Sequence, residues 1–127
     1  MDCATLVSVS ESLRPGDFLV FQLEAGFALL RLLGIDEPDG ARTWHLAAYG
    51  DLFPNVETAE SAAIDPANLT LSHSHIALTD RAFESTQVAR LINVPLTEVE
   101  LEPLRLWRND PTHDISDRSI RLMLGLR

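Results

Sequence analysis

Residues 15–35, PGDFLVFQLEAGFALLRLLGI, decide how the chain begins to fold. A Pro-Gly-Asp turn signal opens a run rich in aromatic and β-branched residues from Phe18 to Glu24, which is typical of a strand. Ala25-Gly26 reverses the chain, since glycine readily takes a positive φ, and a second apolar run follows from Phe27 to Ile35. This run alternates little, so periodicity alone leaves a helix open, but the flanking turns favour a strand covered on both faces. The stretch predicts a β-hairpin.

Two further strands are predicted after the hairpin. A type I turn at residues 37–40 leads into a strand over 42–49, with Trp44, Leu46 and Ala48 on one face. Residues 55–68 form either a short helix around 57–63 or an ordered loop. A fourth strand follows over 68–78, because its start alternates between apolar and polar residues. On this strand four side chains are expected to share one face: Leu69, Leu71, His73 and His75.

At Thr79 the hydrophobic period changes from two residues to 3.6, which indicates a helix. Thr79 or Asp80 can cap this helix, and we expect it to continue to about Ile92.

A second helix is predicted near the end of the chain. Thr97-x-x-Glu100 has the form of a capping box, but Pro103 would remove a hydrogen bond inside the helix that this box begins. We therefore expect a turn first and then a helix from about Glu102 to Arg108. A last helix is predicted from Asp114 or Ser116 to Gly125.

These elements predict an α+β fold: an N-terminal antiparallel curled sheet or small SH3-like half-barrel, followed by two or three packed helices. A length of 127 residues with 46% hydrophobic residues is enough for one domain with its own core. We therefore expect a single domain over 1–127, rich in strands over 15–78 and in helices over 79–127.

The charge of the chain excludes some classes of partner. The formal net charge is −9, and residues 1–66 hold 11 acidic side chains against 3 arginines. Such a balance repels a phosphate backbone, so nucleic-acid binding is disfavoured. No stretch has the roughly 20 apolar residues that span a bilayer, and the N-terminal residues do not resemble a signal peptide. We expect a cytoplasmic protein that does not enter a membrane.

His73 and His75 are the sharpest chemical signal in the sequence. They are two residues apart on a predicted strand, so both rings would project from one face and place two nitrogens on one metal ion. A catalytic zinc usually has a third protein ligand, which His45 or Asp80 would have to supply. Alternatively, both histidines lie at the rim of the sheet and bind no metal. No glycine-rich phosphate loop or Gly-x-Ser-x-Gly motif is present, so we predict no cofactor and no catalytic residue.

A second candidate site is a surface for another protein. Aromatic side chains lie close in sequence to an acidic turn, which is a composition typical of interfaces. The alternative is that the same aromatic residues pack in the core. The candidate partner-binding residues are Trp44, His45, Tyr49, Asp36, Glu37, Asp39 and Asp51.

The segment from Pro15 to Leu33 resembles the immunity-protein-26 type of bacterial polymorphic-toxin immunity proteins. The resemblance covers Pro15-Gly16-Asp17, the strand after it, the hairpin at Gly26 and the second apolar strand with Arg31. It implies a toxin-neutralising binding protein rather than an enzyme. An acidic N-terminal half is compatible with a basic toxin, because opposite charges accelerate association.

Three hypotheses about function follow. The first is a non-enzymatic module that binds a basic partner protein through the acidic, aromatic-bearing strands. The second is a metal-dependent or small-ligand enzyme that uses His73 and His75. The third is a structural subunit of a homodimer, since an unpaired strand edge favours self-association.

Overall fold

The computed structural model describes residues 13–37, 40–110, 114–118 and 120. Within them the chain alternates between sheet and helix. In chain order the elements are β1 (Asp17–Leu23), β2 (Gly26–Asp36), β3 (Thr43–Phe53), α1 (Val56–Ile64), a 3₁₀ helix (Pro66–Asn68), β4 (Leu71–Thr79), α2 (Asp80–Glu84), β5 (Ala89–Asn93) and α3 (Glu98–Asn109).

The predicted hairpin is confirmed as β1 and β2. The two strands are antiparallel, and the pair Leu23 and Gly26 closes the ladder at the turn. A Cβ atom on Gly26 would lie 2.7 Å from the carbonyl oxygen of Phe53 in β3, so glycine is required for the close approach of the two backbones. The apolar centre of β2 is buried on both faces, as the lack of alternation predicts.

The five strands form one open, curled antiparallel sheet in the order β4-β3-β2-β1-β5. With the helices that follow the strands, this confirms the predicted α+β fold. The described residues leave β4 and β5 as the two edges of the sheet. The predicted division at residue 79 is not sharp, because α1 precedes it and β5 follows it.

One face of the sheet carries most of the apolar core. The predicted face of β3 points here, and the ring of Trp44 stacks on that of Phe83 in α2 with centroids 4.1 Å apart. The Trp44 indole donates to Asp80 Oδ1 over 2.7 Å, so its buried N–H has a partner. Other buried members of this core are Leu13, Leu19, Phe21, Leu30, Leu32, Leu46, Ile76, Leu78 and Ile120.

The opposite face, which we call the α3 face, is covered by two helices. At one end α1 packs Ala59 and Ala63 against apolar side chains of β1, β2 and β3. At the other end Leu104 of α3 contacts Leu33 and Ala47. The two helices cover different parts of the sheet and leave space between them.

The predicted helix from Thr79 to Ile92 is wrong beyond Glu84. The Ser85 hydroxyl and the Thr86 hydroxyl both donate back to the carbonyl of Ala82, an alternative that serine and threonine offer at helix ends. After the helix ends at Glu84, Gln87 takes φ +57°. The residues that follow pair with β1 as β5, because the free edge of β1 offers backbone hydrogen-bond partners.

The predicted start of α3 at Glu102 is also wrong. The helix begins at Glu98, since the capping box forms as its sequence indicates: Thr97 Oγ1 accepts from Glu100 N, and the Glu100 carboxylate accepts from Thr97 N. Pro103 lies inside the helix, where it costs one hydrogen bond. The capping box and an ion pair between Glu100 and Arg31 offset this cost.

Two other predictions concern segments outside the strands. The segment 55–68, for which helix and loop were both open, contains α1, whose N-cap Asn55 accepts from Thr58 N over 2.8 Å. The predicted last helix lies largely outside the described residues. None of the helices within the described ranges has the length and apolar character that a membrane crossing requires.

Candidate functional site

Two β-bulges in β4 determine which of its side chains reach the α3 face. Opposite Ala47, β4 has two residues, Ser74 and His75, instead of one. Ser72 is a second extra residue, because the flanking residues His73 and Leu71 pair with the consecutive residues Ala48 and Tyr49. Each extra residue reverses the alternation of the strand. His73 therefore pairs with Ala48 on the face of the main core, whereas Leu71 lies with Tyr49 on the other face. The prediction that Leu69, Leu71, His73 and His75 share one face is therefore wrong for His73, whereas Leu69, Leu71 and His75 lie on the α3 face.

His75 instead meets His45, and we call these two residues the histidine pair. His45 is fully buried; its Nε2 lies 3.0 Å from Asp36 Oδ2, and its Nδ1 lies 3.0 Å from His75 Nε2. Because a carboxylate only accepts, His45 Nε2 donates to Asp36 Oδ2. Between His45 Nδ1 and His75 Nε2, one ring donates and the other accepts.

The end of α3 closes over the histidine pair. Trp107 contacts the His45 ring edge-on, with centroids 4.7 Å apart, and tilts against His75. Arg108 donates to both carboxylate oxygens of Asp36, over 2.6 and 3.2 Å. The pair therefore joins β3 and β4 to β2 and to α3.

Burial and charge shift two pKa values in this cluster. Burial lowers the pKa of His75 to about 4, and the positive charges of His45 and Arg108 act in the same direction. For Asp36, burial opposes ionisation, but the hydrogen bonds and charges of Arg108 and His45 outweigh it and hold the pKa below its ordinary value. At neutral pH the cluster consists of an ionised Asp36 and a neutral His75.

The structure brings together two of the four candidate metal ligands. His45 and His75 meet, whereas His73 lies on the other face with its Nδ1 3.0 Å from Ser72 Oγ. Asp80 accepts from Trp44 and pairs with Arg42. Among the described residues, no group of three or more His, Cys, Asp or Glu side chains is placed to hold a metal ion.

The candidate partner-binding residues separate into interior and surface groups. Trp44 and His45 are fully buried and Tyr49 is 7% exposed, so these three do not form a surface, and the core-packing alternative describes them. Asp36 pairs with Arg108, and Asp51 accepts from Thr70 N over 2.6 Å. Glu37 is exposed, and Asp39 lies outside the described residues.

A groove opens on the α3 face between α3 and the segment that connects α1 to β4; we call it the α3 groove. Its volume is about 430 Å³, within the range of ligand sites. Leu33, Ala47 and Tyr49 form its floor, and Leu71 and Val99 line its two sides. Leu71 is 52% exposed and Val99 is 83% exposed, although both are apolar.

A buried ion pair fixes the wall that α3 contributes to the groove. Arg31 is 1% exposed, and its Nε and Nη2 donate to the two carboxylate oxygens of Glu100 over 2.9 and 3.2 Å. Its guanidinium also lies over the Phe18 ring, 4.3 Å from the centroid. Burial opposes the ionisation of Glu100, but the hydrogen bonds from Arg31 and Thr97, together with the charge of Arg31, outweigh this effect and lower the Glu100 pKa. Burial, with the charge of Glu100, raises the pKa of Tyr49 in the floor.

Sequence reasoning missed the sides of the groove. Val99 precedes the predicted start of the helix at Glu102, whereas in the structure it is exposed on the first turn of α3. The capping box formed by Thr97 and Glu100 is the sequence signal that places Val99 on the first turn of the helix. The side formed by Leu71 depends on the bulges in β4, for which the sequence offers no comparable signal.

Comparison with known proteins identifies no relative: no protein-family model, no curated protein and no solved structure matches the chain.

Proposed function

We propose that the protein is a non-enzymatic module that binds a basic partner protein in the α3 groove. The observation that carries this proposal is the groove itself: an apolar floor with Leu71 and Val99 exposed at its sides. Exposed apolar side chains around a concave site are typical of a surface that another molecule covers. Tyr49, a predicted partner-binding residue, contributes as part of the floor rather than as an exposed side chain.

The charge around the groove supports a basic partner. Five carboxylates and two arginines, Arg31 and Arg105, belong to the lining of the groove or lie within two residues of it in the sequence. The local balance is thus −3, in a chain whose net charge is −9. Opposite charges at the rim raise the association rate and favour partners of one sign. The five carboxylates are Asp51, Asp65, Glu98, Glu100 and Glu102.

The resemblance of residues 15–33 to immunity proteins supports a more specific class of partner. Under this proposal the partner is a bacterial toxin with a basic surface, and binding neutralises it in the cytoplasm. Rapid association is an advantage for such an inhibitor, and electrostatic steering provides it.

Site-specific photo-crosslinking in the cells that produce the protein tests the proposal. A photoreactive residue at position 99 lies at the groove, whereas one at position 106 lies elsewhere on α3 and replaces Leu106, which is also well exposed. We expect position 99 to give an adduct with one basic protein, with a yield that falls as ionic strength rises. Position 106 is expected to give no such adduct.

The purified adduct partner then provides a direct measurement. It should form a saturable complex with the full chain, and calorimetry at low and high salt should show weaker binding at high salt. If positions 99 and 106 give the same adducts, or neither gives one at low ionic strength, the groove is not a protein-binding site.

A further inference from the structure

The outer edge of β4 next to the α3 groove has unpaired backbone groups. β4 is an edge strand, and no described residue forms a backbone hydrogen bond with the outer side of Leu71–His75. Ser72 and Ser74 are exposed, and Leu71 is half exposed. An exposed strand edge with free N–H and C=O groups is a template for another strand.

The protein already uses the other half of this edge in the same way. Ser116 forms a parallel bridge with Leu78: its N–H donates to the Ala77 carbonyl over 2.8 Å, and its carbonyl accepts from Thr79 N over 2.9 Å. The geometry of β4 therefore permits an additional strand along this edge. Residues 71–75 continue the same edge without a partner among the described residues.

The two edges of the sheet differ in their protection. Edge strands are usually protected by charged side chains, proline or β-bulges. β5 carries Arg90, whereas β4 from Leu71 to Thr79 contains no proline, lysine, arginine or carboxylate and has only the two bulges at Ser72 and Ser74. No charge on β4 itself therefore opposes the approach of another strand.

An added strand at β4 would run along the open side of the α3 groove. Leu71 and Ser74 belong both to the free edge and to the groove lining. Adjacent strands lie about 4.8 Å apart, and alternate side chains of the new strand point to the α3 face. An apolar side chain on that face would enter the groove beside Leu71. A basic side chain two residues away, which points to the same face, would approach Glu98 and Glu102, the two carboxylates that Arg105 already bridges.

We propose that the α3 groove recognises its partner by strand addition: an extended segment pairs with β4 at Leu71–His75, places an apolar side chain in the groove and presents arginine or lysine to the surrounding carboxylates. This inference rests on the proposed function and adds the mode of recognition to it. Main-chain pairing provides affinity in this mode, and the pocket provides selectivity.

A pair of synthetic peptides isolates main-chain pairing from charge. The first is a short capped peptide that repeats Leu-Ser-Arg-Ser, so that leucine and arginine lie on one face of the strand; the second has the same sequence with alternate backbone amides N-methylated. Both carry the same charge and side chains, but the second lacks the N–H donors on one edge. We expect the methylated peptide to bind the full chain at least about tenfold more weakly, a difference of about 1.4 kcal/mol.

Amide NMR spectra of the full chain locate the binding. The unmodified peptide is expected to shift the amide signals of residues 71–75 and to slow their hydrogen exchange, with smaller effects on β5. A Val99→Ser variant should weaken binding more than Leu106→Ser, its matched control on the same helix.

The outcomes distinguish this inference from the proposed function. If a partner is crosslinked at position 99 but both peptides bind equally and residues 71–75 do not respond, strand addition is wrong and the binding function remains. If no partner is crosslinked and neither peptide binds, the proposed function fails as well. If light scattering shows a dimer that the peptide dissociates, a second copy of the chain occupies the edge and the inference is overturned.

Discussion

Glu100 stabilises two parts of the structure at once. Its carboxylate accepts from the backbone of Thr97 and so completes the capping box of α3. The same carboxylate neutralises Arg31, which is buried beneath the helix. A buried guanidinium without a charged partner is costly, so the residue at position 100 controls both the helix end and the interior charge.

Glu100→Gln separates these two roles, because glutamine still forms a capping box but leaves Arg31 without a counter-charge. We expect a loss of about 1.5–3 kcal/mol in the free energy of unfolding, measured by urea denaturation. Glu98→Gln removes an exposed carboxylate from the same helical turn and is expected to change stability by less than about 0.5 kcal/mol. Equal losses in the two variants would contradict a specific role for the buried pair.

The histidine pair predicts a stability that depends on pH. The pKa of His75 is about 4 in the folded protein, below its ordinary value of 6.5, so the unfolded chain binds the proton more tightly. This contribution to stability is complete above pH 6.5 and is lost as the pH falls toward 4. Asp36, His45 and Arg108 surround the ring, and the low pKa of Asp36 keeps its carboxylate ionised across this window.

His75→Gln tests this prediction, since the glutamine amide can donate to or accept from His45 but does not titrate in this range. Urea denaturation at a series of pH values should show that the wild-type protein loses more stability between pH 6.5 and 4 than the variant. Parallel curves for the two proteins would exclude the pair as the source of the slope.

The histidine pair also marks a limit of sequence reasoning at the level of single residues. The sequence identified His75 as unusual and named His45 as a residue that folding would have to bring near it. It paired His75 with His73, however, because strict alternation places residues two apart on one face. Bulges at Ser72 and Ser74 break that alternation, and they arise from the pairing of β4 with β3 rather than from local propensity.

At the level of elements, local signals predicted β1, β2, β3 and the cap of α3. They failed at residues 85–93, where the pattern favours a helix but the free edge of β1 offers backbone partners. Propensity is a weak preference that such tertiary pairing overrides. For residues 98–101 the error is the opposite: a turn is predicted, but the structure has the first turn of α3. The capping box and the Arg31 ion pair stabilise this helix despite Pro103.

Pro103→Ala is predicted to stabilise α3. Alanine restores the N–H that donates to the carbonyl of Val99 and removes the proline ring from the preceding turn. We expect the free energy of unfolding to rise by about 1–3 kcal/mol, measured by thermal and urea denaturation. Leu106→Ala, an exposed position on the same helix, serves as the control and should change stability by less than about 0.5 kcal/mol. If Pro103→Ala does not raise the free energy of unfolding, the helix has already adapted to the missing hydrogen bond and the prediction is wrong.

At the level of the whole molecule, the α3 groove is the gap that remains between two helices on one face of a sheet. Its floor comes from β2 and β3, one side from the connection that follows α1 and the other from α3. No local pattern encodes such a gap, because its shape depends on where each helix packs. The sequence placed the negative charge on residues 1–66, whereas three of the five carboxylates near the groove, Glu98, Glu100 and Glu102, belong to α3.

Val99→Arg should reduce the affinity for a basic partner by at least about tenfold, because it fills the side of the groove and adds a positive charge. Leu106→Arg adds the same charge outside the groove and should reduce affinity by less than about threefold. Titration calorimetry with the crosslinked partner, repeated at high salt, measures both effects. Equal reductions in the two variants would assign the effect to net charge rather than to the groove.

α3 is joined at both ends to the same strand. Glu100 near its start pairs with Arg31 of β2, and Arg108 near its end pairs with Asp36 of β2. Detaching either end of α3 would expose Arg31 or the histidine pair to solvent. We therefore expect α3 to detach only when the sheet also unfolds. If the proposed function is right, the partner meets a preformed wall, and α3 has little conformational freedom left to lose on contact.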